Sequence, residues 1–487
     1  MRLAVVTAIV LSGALPTAEA QEVIGFDRAG EHMVLTPHMG WYKEPGEALG
    51  PQEAAARYHS GAFHAFDGEW AELGVMAATV WLAVSVKNQT NAEYLIVEFR
   101  NPRMSYVDCF VPNGSGGYFE MQNGSVRPFS LRTLQHPMPS FPLRLGPGEE
   151  RLVLLRLENV GDFRFRVWLW EARDFFNRIS SAYIPEYVTI GVLLVLAVFH
   201  LLVFLSLWEL AYLHLSLFIF AWLLFFMSGN GTGSMLIWSD MPWLALRANT
   251  LSMILMCITF VFFTMSFLRS HRYTPLLYRV GLIFVGLCFL DLLHCCLTDS
   301  VWRIPINRWV SLATLLLVGV LAIQAIRQGS RMAWFFLATW VMVLAGAAIM
   351  VLLSWYMVSS QLVMGTSLIN FLYTSSIMLW SFELTGRIKV RARKQRELLE
   401  VQVNERTAEL EQALGEVKTL SGLLPICSSC KNIRDDQGYW KSVEHYLILH
   451  TDAGFTHGIC PDCFSRLYPD FVQRREGDGD AAVESAI

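Results

Sequence analysis

The sequence predicts a multidomain membrane protein: an all-β, jelly-roll-like sandwich, a seven-helix bundle, a coiled-coil helix and a small treble-clef-like zinc finger. Three observations carry this expectation. Seven long apolar runs crowd into about two hundred residues with almost no charge inside them; the stretch before them alternates apolar and polar residues between turn signals; and two Cys-x-x-Cys pairs stand 29 residues apart near the end. Of 487 residues, 54% are hydrophobic and only 16% charged, where soluble domains carry about a quarter charged. A formal net charge of −4 offers no nucleic-acid surface.

The chain opens with MRLAVVTAIVLSGALPTAEA, a basic Arg2, a short apolar run and the small-x-small signal Ala18-Glu19-Ala20. Residues 1–20 therefore read as a secretory signal peptide removed before Gln21. Export places the next segment, 21–183, outside the cytoplasm. Within it VWLAVSV, YLIVEF, YVDCFV, RLVLLRL and FRFRVWLW are strand candidates, broken by Asn-Gly, Gly-Pro-Gly and Asn-Pro turns at a spacing that predicts a β-sandwich. Its lone Cys109 excludes an internal disulfide. Trp41, Tyr42, Tyr118, Phe119, Trp168 and Trp170 are available to stack against a small ligand, although most aromatics in such a domain fill the core.

Residues 184–385 hold the expected spans: 184–208, 211–227, 243–267, 276–293, 309–326, 332–358 and 362–383. Each is near or above the ~20 residues that cross ~30 Å of hydrocarbon. Segments such as IGVLLVLAVFHLLVFLSLW show no polar face every 3.6 residues, which a soluble core helix would need. Seven crossings after an exported domain require a cytoplasmic C-terminus. The positive-inside rule agrees: the segments expected inside carry eleven cations (Arg269, Arg272, Arg279, Arg327, Arg331, Arg387, Lys389, Arg391, Arg393, Lys394, Arg396) against Arg247, Arg303 and Arg308 on the other side.

An ionisable group inside lipid is costly and marks a candidate site. Arg247 and Asp291 fall at similar depth in this topology and are expected to pair; the alternative is that each snorkels to the interface. His200 and His214 read as polar helix-packing residues. No lysine lies in a span, which excludes a retinal Schiff base. A transporter would show Gly/Pro-broken spans and buried midplane charge, and neither stands out.

The order of a signal peptide, a β-rich segment containing WLAVSVKN and FPLRLGPGEERLVLLRLEN, and then seven spans resembles the bacterial seven-transmembrane receptors with diverse intracellular signalling modules. The resemblance covers about residues 30–385, and the exported part is similar to the family's second type of extracellular domain. It implies an inner-membrane receptor with a small-molecule or carbohydrate-like ligand. It names no binding residue.

From Thr385 the composition turns charged. Basic residues at the start of the connector, 386–424, can sit against anionic lipid headgroups. Val403, Thr407, Leu410, Leu414, Val417, Ser421 and Leu424 then recur at 4, 3, 4, 3, 4 and 3 residues, a heptad seam that predicts a parallel homodimer; a lone solvated helix is the alternative.

In the segment 425–471, Cys427 and Cys430 precede Cys460 and Cys463. Two such knuckles in a reducing compartment fit a structural, four-thiolate Zn2+ site that folds a domain too small for a large core; a redox dithiol is the minor alternative. His457, three residues before Cys460, is a candidate to orient a ligand from behind. The Asp435–Gly438 turn predicts a hairpin, 442–450 a helix, and Pro461 the start of another. LPICxxCKxIRDDxGYW and HGICPxC resemble a zinc-finger-like module at the ends of bacterial sensor and response-regulator proteins. The tail, 472–487, is polar and reads as disordered.

About a hundred residues follow the last span, and the connector and finger use nearly all of them. A kinase or cyclase domain is not expected there, nor is catalysis by a closed zinc site. The expectation is a non-enzymatic receptor with a cytoplasmic protein partner. Its competitors are a membrane enzyme with a cytoplasmic redox or hydrolytic site, and a transporter or scaffold. Asp435, Asp436, Glu444, Asp452, Asp462 and Asp470 in the finger disfavour nucleic acid.

Overall fold

The computed structural model describes residues 23–27, 32–46, 48–298, 300–355, 362–421, 424–452 and 454–469. The expected signal peptide and tail lie outside the described residues. The chain divides into two compact units, Met1–Arg387 and Ile388–Ile487.

The first unit begins with eleven strands: β1 (Ile24–Phe26), β2 (Met33–Val34), β3 (Gly40–Lys43), β4 (His64–Ala65), β5 (Ala71–Asn88), β6 (Tyr94–Phe99), β7 (Tyr106–Pro112), β8 (Tyr118–Asn123), β9 (Ser140–Arg144), β10 (Glu150–Phe165) and β11 (Val167–Glu171). A helix, α1 (Pro51–His59), interrupts them. One sheet runs β4-β3-β5-β10-β7-β8, with β1 parallel to the end of β5; the other runs β2-β11-β6-β9. Their inner faces share one core. Val80, Leu82, Val84 and Val86 of β5 and Val153, Leu155 and Leu157 of β10 meet Leu95, Val97 and Phe99 of β6 and Val167 and Leu169 of β11. The intervening residues Trp81, Ala83 and Leu154 point the other way and are buried beneath Ala54, Ala55 and Tyr58 of α1. This second cover explains why VWLAVSV and RLVLLRL read as continuous apolar runs rather than as a strict alternation.

The FRFRVWLW segment is not one strand. It crosses from the first sheet to the second at Arg166, which is buried, bonds Glu69 and lies with its guanidinium 4.6 Å from the Trp70 ring centroid. A register shift between Asp162 and Arg164 precedes the crossing and bends the end of β10.

Helix α2 (Ala172–Ala182) leaves β11 and packs Phe175 against Ile96, Trp168 and Trp170. The helical region follows: α3 (Ile184–Leu207), α4 (Leu210–Asn230), the short α5 (Thr232–Leu236), α6 (Pro242–Phe267), the short α7 (Ser270–Tyr273), α8 (Pro275–Leu297), α9 (Arg303–Arg327), α10 (Arg331–Trp355) and α11 (Leu362–Ser421). Five stretches are long and apolar enough to cross a membrane: Ala172–Leu207, Leu210–Asn230, Pro242–Phe267, Pro275–Leu297 and Arg303–Arg327. The expected count of seven is not reached among the described residues. Beyond these five, the apolar segment Met332–Gly346 is shorter, and residues 356–361, the end of the expected sixth span and the gap before the seventh, are outside the described set.

Leu194, Val195, Ile283 and Leu290 face outward, while polar groups turn inward and bond between helices. His200 Nε2 lies 2.7 Å from Ser381 Oγ and His214 Nδ1 lies 3.0 Å from Ser266 Oγ, so both histidines pack helices as expected. The Tyr212 hydroxyl donates to the Leu384 carbonyl at 2.7 Å. Around Trp380 cluster Phe218, Phe260, Phe263 and Phe336, and the Trp380 indole donates to Thr339 Oγ1 at 2.6 Å.

In the second unit the connector is helical to Ser421. Val403, Leu410 and Leu414 of the seam are more than half exposed in this single chain. The cysteine segment forms a hairpin of β12 (Ile433–Arg434) and β13 (Trp440–Lys441), then α12 (Val443–His450) and α13 (Pro461–Leu467). Asp435 Oδ1 accepts the backbone N–H groups of Gln437 and Tyr439, closing the hairpin turn, and Ser442 caps α12 by accepting from the His445 N–H.

Candidate functional site

The β-domain rests directly on one end of the helical region, and this joint is the candidate site. At the junction of α4 and α5, Gly231 takes φ +82°, and a Cβ there would stand 2.7 Å from Pro102 Cβ and 2.9 Å from the Pro137 carbonyl oxygen. Only glycine permits both the turn and the approach. The Pro137 loop is held by Arg132, whose guanidinium donates to the carbonyls of His136, Pro137 and Gly124. Burial pushes that guanidinium down to about 10. Nearby, the Phe129 N–H donates to the Ser239 carbonyl at 2.9 Å.

On the other side of the joint, the end of β10 and the loop after β6 face α6 and α9 across a cavity of about 260 Å³. Its β-domain wall is pinned by two asparagines. Asn101 accepts the Arg103 N–H through Oδ1 and donates through Nδ2 to the Arg164 carbonyl, each at 2.9 Å. Asn159 accepts from Ser105 Oγ at 2.8 Å and donates to the Asp162 carbonyl at 3.3 Å. Asp162 faces Arg308 at 3.6 Å and Arg103 Nη1 reaches Asn249 Oδ1 at 3.4 Å, so contacts cross from β-domain to helix on both flanks. Asn307 lines the helical wall and is 6% exposed, and among the described residues neither its Oδ1 nor the Nδ2 of Asn249 has a hydrogen-bond partner. Buried polar atoms are nearly always satisfied, so a water or a small turn of either amide is expected to complete these two.

The residues singled out from the sequence lie elsewhere. Arg247 does not meet Asp291: its Nε donates to the Cys295 carbonyl at 3.1 Å, its Nη1 to the Trp243 carbonyl at 3.3 Å, and its guanidinium lies 4.8 Å from the Trp243 ring centroid. Asp291 instead has His294 Nδ1 at 4.0 Å, one turn along its own helix. Equal depth is compatible with many azimuths around a helix, and helix packing chose others. Trp168 and Trp170 are buried, and Trp41, Tyr42 and Tyr118 pack against core clusters; Phe119 stands 60% exposed. Arg303 and Arg308 were legible only as charges on one side of the membrane. That they share a cavity with Arg103 and Asp162 has no local signal.

In the cysteine segment each Cys-x-x-Cys forms a knuckle. The Cys430 and Ser429 amides hold the Cys427 thiol below the usual range and the Cys463 amide does the same for Cys460, while the Lys431 N–H donates to the Cys427 carbonyl at 3.0 Å. Lys431 adopts φ +63°, which turns the chain sharply after the first knuckle. A lowered thiol is readily a thiolate, so the donor chemistry fits a soft metal such as zinc. Among the described residues, however, no group of three or more His, Cys, Asp or Glu side chains is gathered to hold a metal. Cys427 with Cys430 and Cys460 with Cys463 stand as two pairs, and the exposed His457 completes neither.

A comparison with curated proteins finds no match. Two family models do match: residues 36–171 fit the one described as 7TMR-DISM extracellular 2, and residues 183–387 fit 7TM diverse intracellular signalling. These intervals are the β-domain and the helical region that meet at the joint, and they support assigning the chain to the 7TMR-DISM family of membrane receptors.

Proposed function

We propose that this chain is a signal-transduction receptor of the bacterial inner membrane, with its β-domain in the periplasm and its C-terminus in the cytoplasm. A small molecule, carbohydrate-like or anionic, acts on the periplasmic side. The change passes through the joint to the helices, along a parallel pair of connector helices, and into a non-enzymatic output module that recruits a cytoplasmic protein. The observation that carries this reading is the joint itself. Gly231 against Pro102 and Pro137, with the Asp162–Arg308 and Arg103–Asn249 contacts, ties the β-domain to α4, α6 and α9 at three points.

The exposed apolar seam of Val403, Leu410 and Leu414 supports pairing of the connector, since a second copy would bury it. The two knuckles support a structural Zn2+ held by Cys427, Cys430, Cys460 and Cys463, with His457 beside it. Bound zinc would supply folding energy to a segment with little core of its own and no open position for catalysis.

The relay is tested by locking the joint. A disulfide between Asp162→Cys and Arg308→Cys in the full-length protein should change the rate at which Leu410→Cys cross-links two connectors in membranes. An unchanged rate sinks the relay, and no cross-link in either state sinks the dimer. Metal analysis of the purified protein should find one zinc per chain that is lost in Cys427→Ser.

A further inference from the structure

Resting on the receptor reading and giving it a ligand class, we propose that the cavity between β10, α6 and α9 binds a small anion through a carboxylate or phosphate oxygen. The joint itself, rather than the outer surface of the β-domain, is then the place where ligand is sensed. Charge and hydrogen bonding point the same way. Three arginines, Arg103, Arg303 and Arg308, line the cavity with one acidic residue, Asp162; Asp162 faces Arg308, and Arg303 Nε is held by the Ser300 carbonyl. Guanidinium forks match planar oxyanions.

Two further features make this a built site. Asn101, Asn159, Arg303 and Asn307 are each more than nine-tenths buried, and the first two are locked by their own hydrogen bonds. The side-chain amides of Asn249 and Asn307, each with one enclosed atom that has no partner among the described residues, can turn to offer a donor to a second ligand oxygen. Arg103, which is exposed and spans to Asn249, is the group that an entering anion meets first. At about 260 Å³ the cavity is just below the ~300–1,000 Å³ of drug-sized pockets, so the ligand is small.

Both walls contribute polar groups, and the walls belong to different domains. An anion held by Arg103 and Asn249 therefore binds one relative position of the β-domain and the helices better than any other. That differential affinity is what a ligand needs to shift a conformational equilibrium. The oxyanion can come from a free solute or from a lipid headgroup at this end of the helices.

The test uses the full-length protein in zwitterionic phosphatidylcholine nanodiscs at constant ionic strength. It is titrated separately with succinate and inorganic phosphate while thermal unfolding is recorded, and parallel discs contain phosphatidylglycerol and no added anion. The expected result is saturable stabilisation by at least one free anion. Its midpoint should be tenfold or more weaker in Arg103→Gln and in Asn307→Leu, and unchanged in the control Lys43→Gln. Stabilisation confined to phosphatidylglycerol discs and lost in the same two variants also supports the site and assigns the headgroup as its source. Equal behaviour of Arg103→Gln and the parent, or no stabilisation in any arm, overturns the proposal. Asn307→Leu alters a buried group, so the exposed Arg103 carries the decision alone if that variant does not fold. Binding without any change in connector cross-linking leaves the site standing and removes the relay; absence of binding removes the site alone.

Discussion

The β-domain and the helical region bury opposite things. In the β-domain Leu155 and Val84 are fully buried between two sheets, charged groups such as Arg151 and Glu149 stay at the rim, and the buried charges Asp108 and Arg166 are paired, with Arg127 and Glu69. In the helical region Val195 is 68% exposed, while Thr264 and His200 are fully buried. Water drives the first arrangement. The second suits lipid, where helices gain nothing by hiding leucine and associate instead through packing and interhelical hydrogen bonds. The same residue types thus stabilise one region and merely solvate the other, and the joint between them obeys neither rule.

The largest effect that would break this contrast is in the sandwich. Leu155→Ala should cost about 2–5 kcal/mol, read as a lower unfolding midpoint of the β-domain by near-ultraviolet circular dichroism. Val195→Ala on α3 should stay within about 0.5 kcal/mol in detergent. Comparable losses would show that α3 is packed against protein rather than lipid.

At the joint, Gly231→Val forces a side chain into a left-handed position already filled by Pro102 and Pro137. Strain alone costs on the order of 1–3 kcal/mol. The expected outcome is faster proteolysis between the β-domain and the helices while the β-domain keeps its own melting point. A simultaneous fall in that melting point would mean the domain depends on the bundle for its stability.

His136 sharpens the contrast through pH. Its Nδ1 faces the Met138 carbonyl at 3.1 Å, its Nε2 is buried without a partner among the described residues, and Phe175 and Tyr183 pack on the ring. Burial lowers its pKa, with Glu98 and the Met138 carbonyl opposing and Arg100 and Arg132 assisting. A folded pKa below the unfolded value of ~6.5 means the folded state binds fewer protons. Stability should therefore be full above about pH 6.5 and decline as pH falls from there through the folded pKa. His136→Asn should flatten that decline in thermal melts at pH 5 and 7; a parallel decline in the variant would exclude His136 as its source.

The smallest effect lies inside the bundle. Ser381→Ala removes the partner of His200 Nε2 and should cost about 0.6 kcal/mol, the average for such bonds between membrane helices, measured by unfolding in mixed detergent. A loss several times larger would give this pair a role beyond packing.

Much of the architecture was readable because it depends on local periodicity. The run of residues 80–86 announced β5, and the apolar stretch from Ile184 announced α3 to within a residue of its end. The Asp435–Gly438 turn announced the hairpin, and Ser442 the helix that it caps. Other features were misread or missed. FRFRVWLW broke at Arg166 because a buried guanidinium turned the chain between sheets. Helix α1 was unexpected, since its three buried residues, Ala54, Ala55 and Tyr58, make too weak a stripe to stand out.

What the sequence determined by itself was the order of environments along the chain: alternating strands, apolar helices, a charged heptad helix and paired cysteines. Each follows from the spacing of neighbouring residues relative to water or lipid, which tertiary structure need not supply. What only the tertiary structure decided was which distant residues share a space. It sent Arg247 to the Cys295 carbonyl and Asp291 to His294, and it brought Arg103, Asp162, Asn249, Asn307 and Arg308 around one cavity. Those positions are up to about two hundred residues apart. Their meeting depends on the rotation of each packed helix and the reach of β10, which no local pattern encodes.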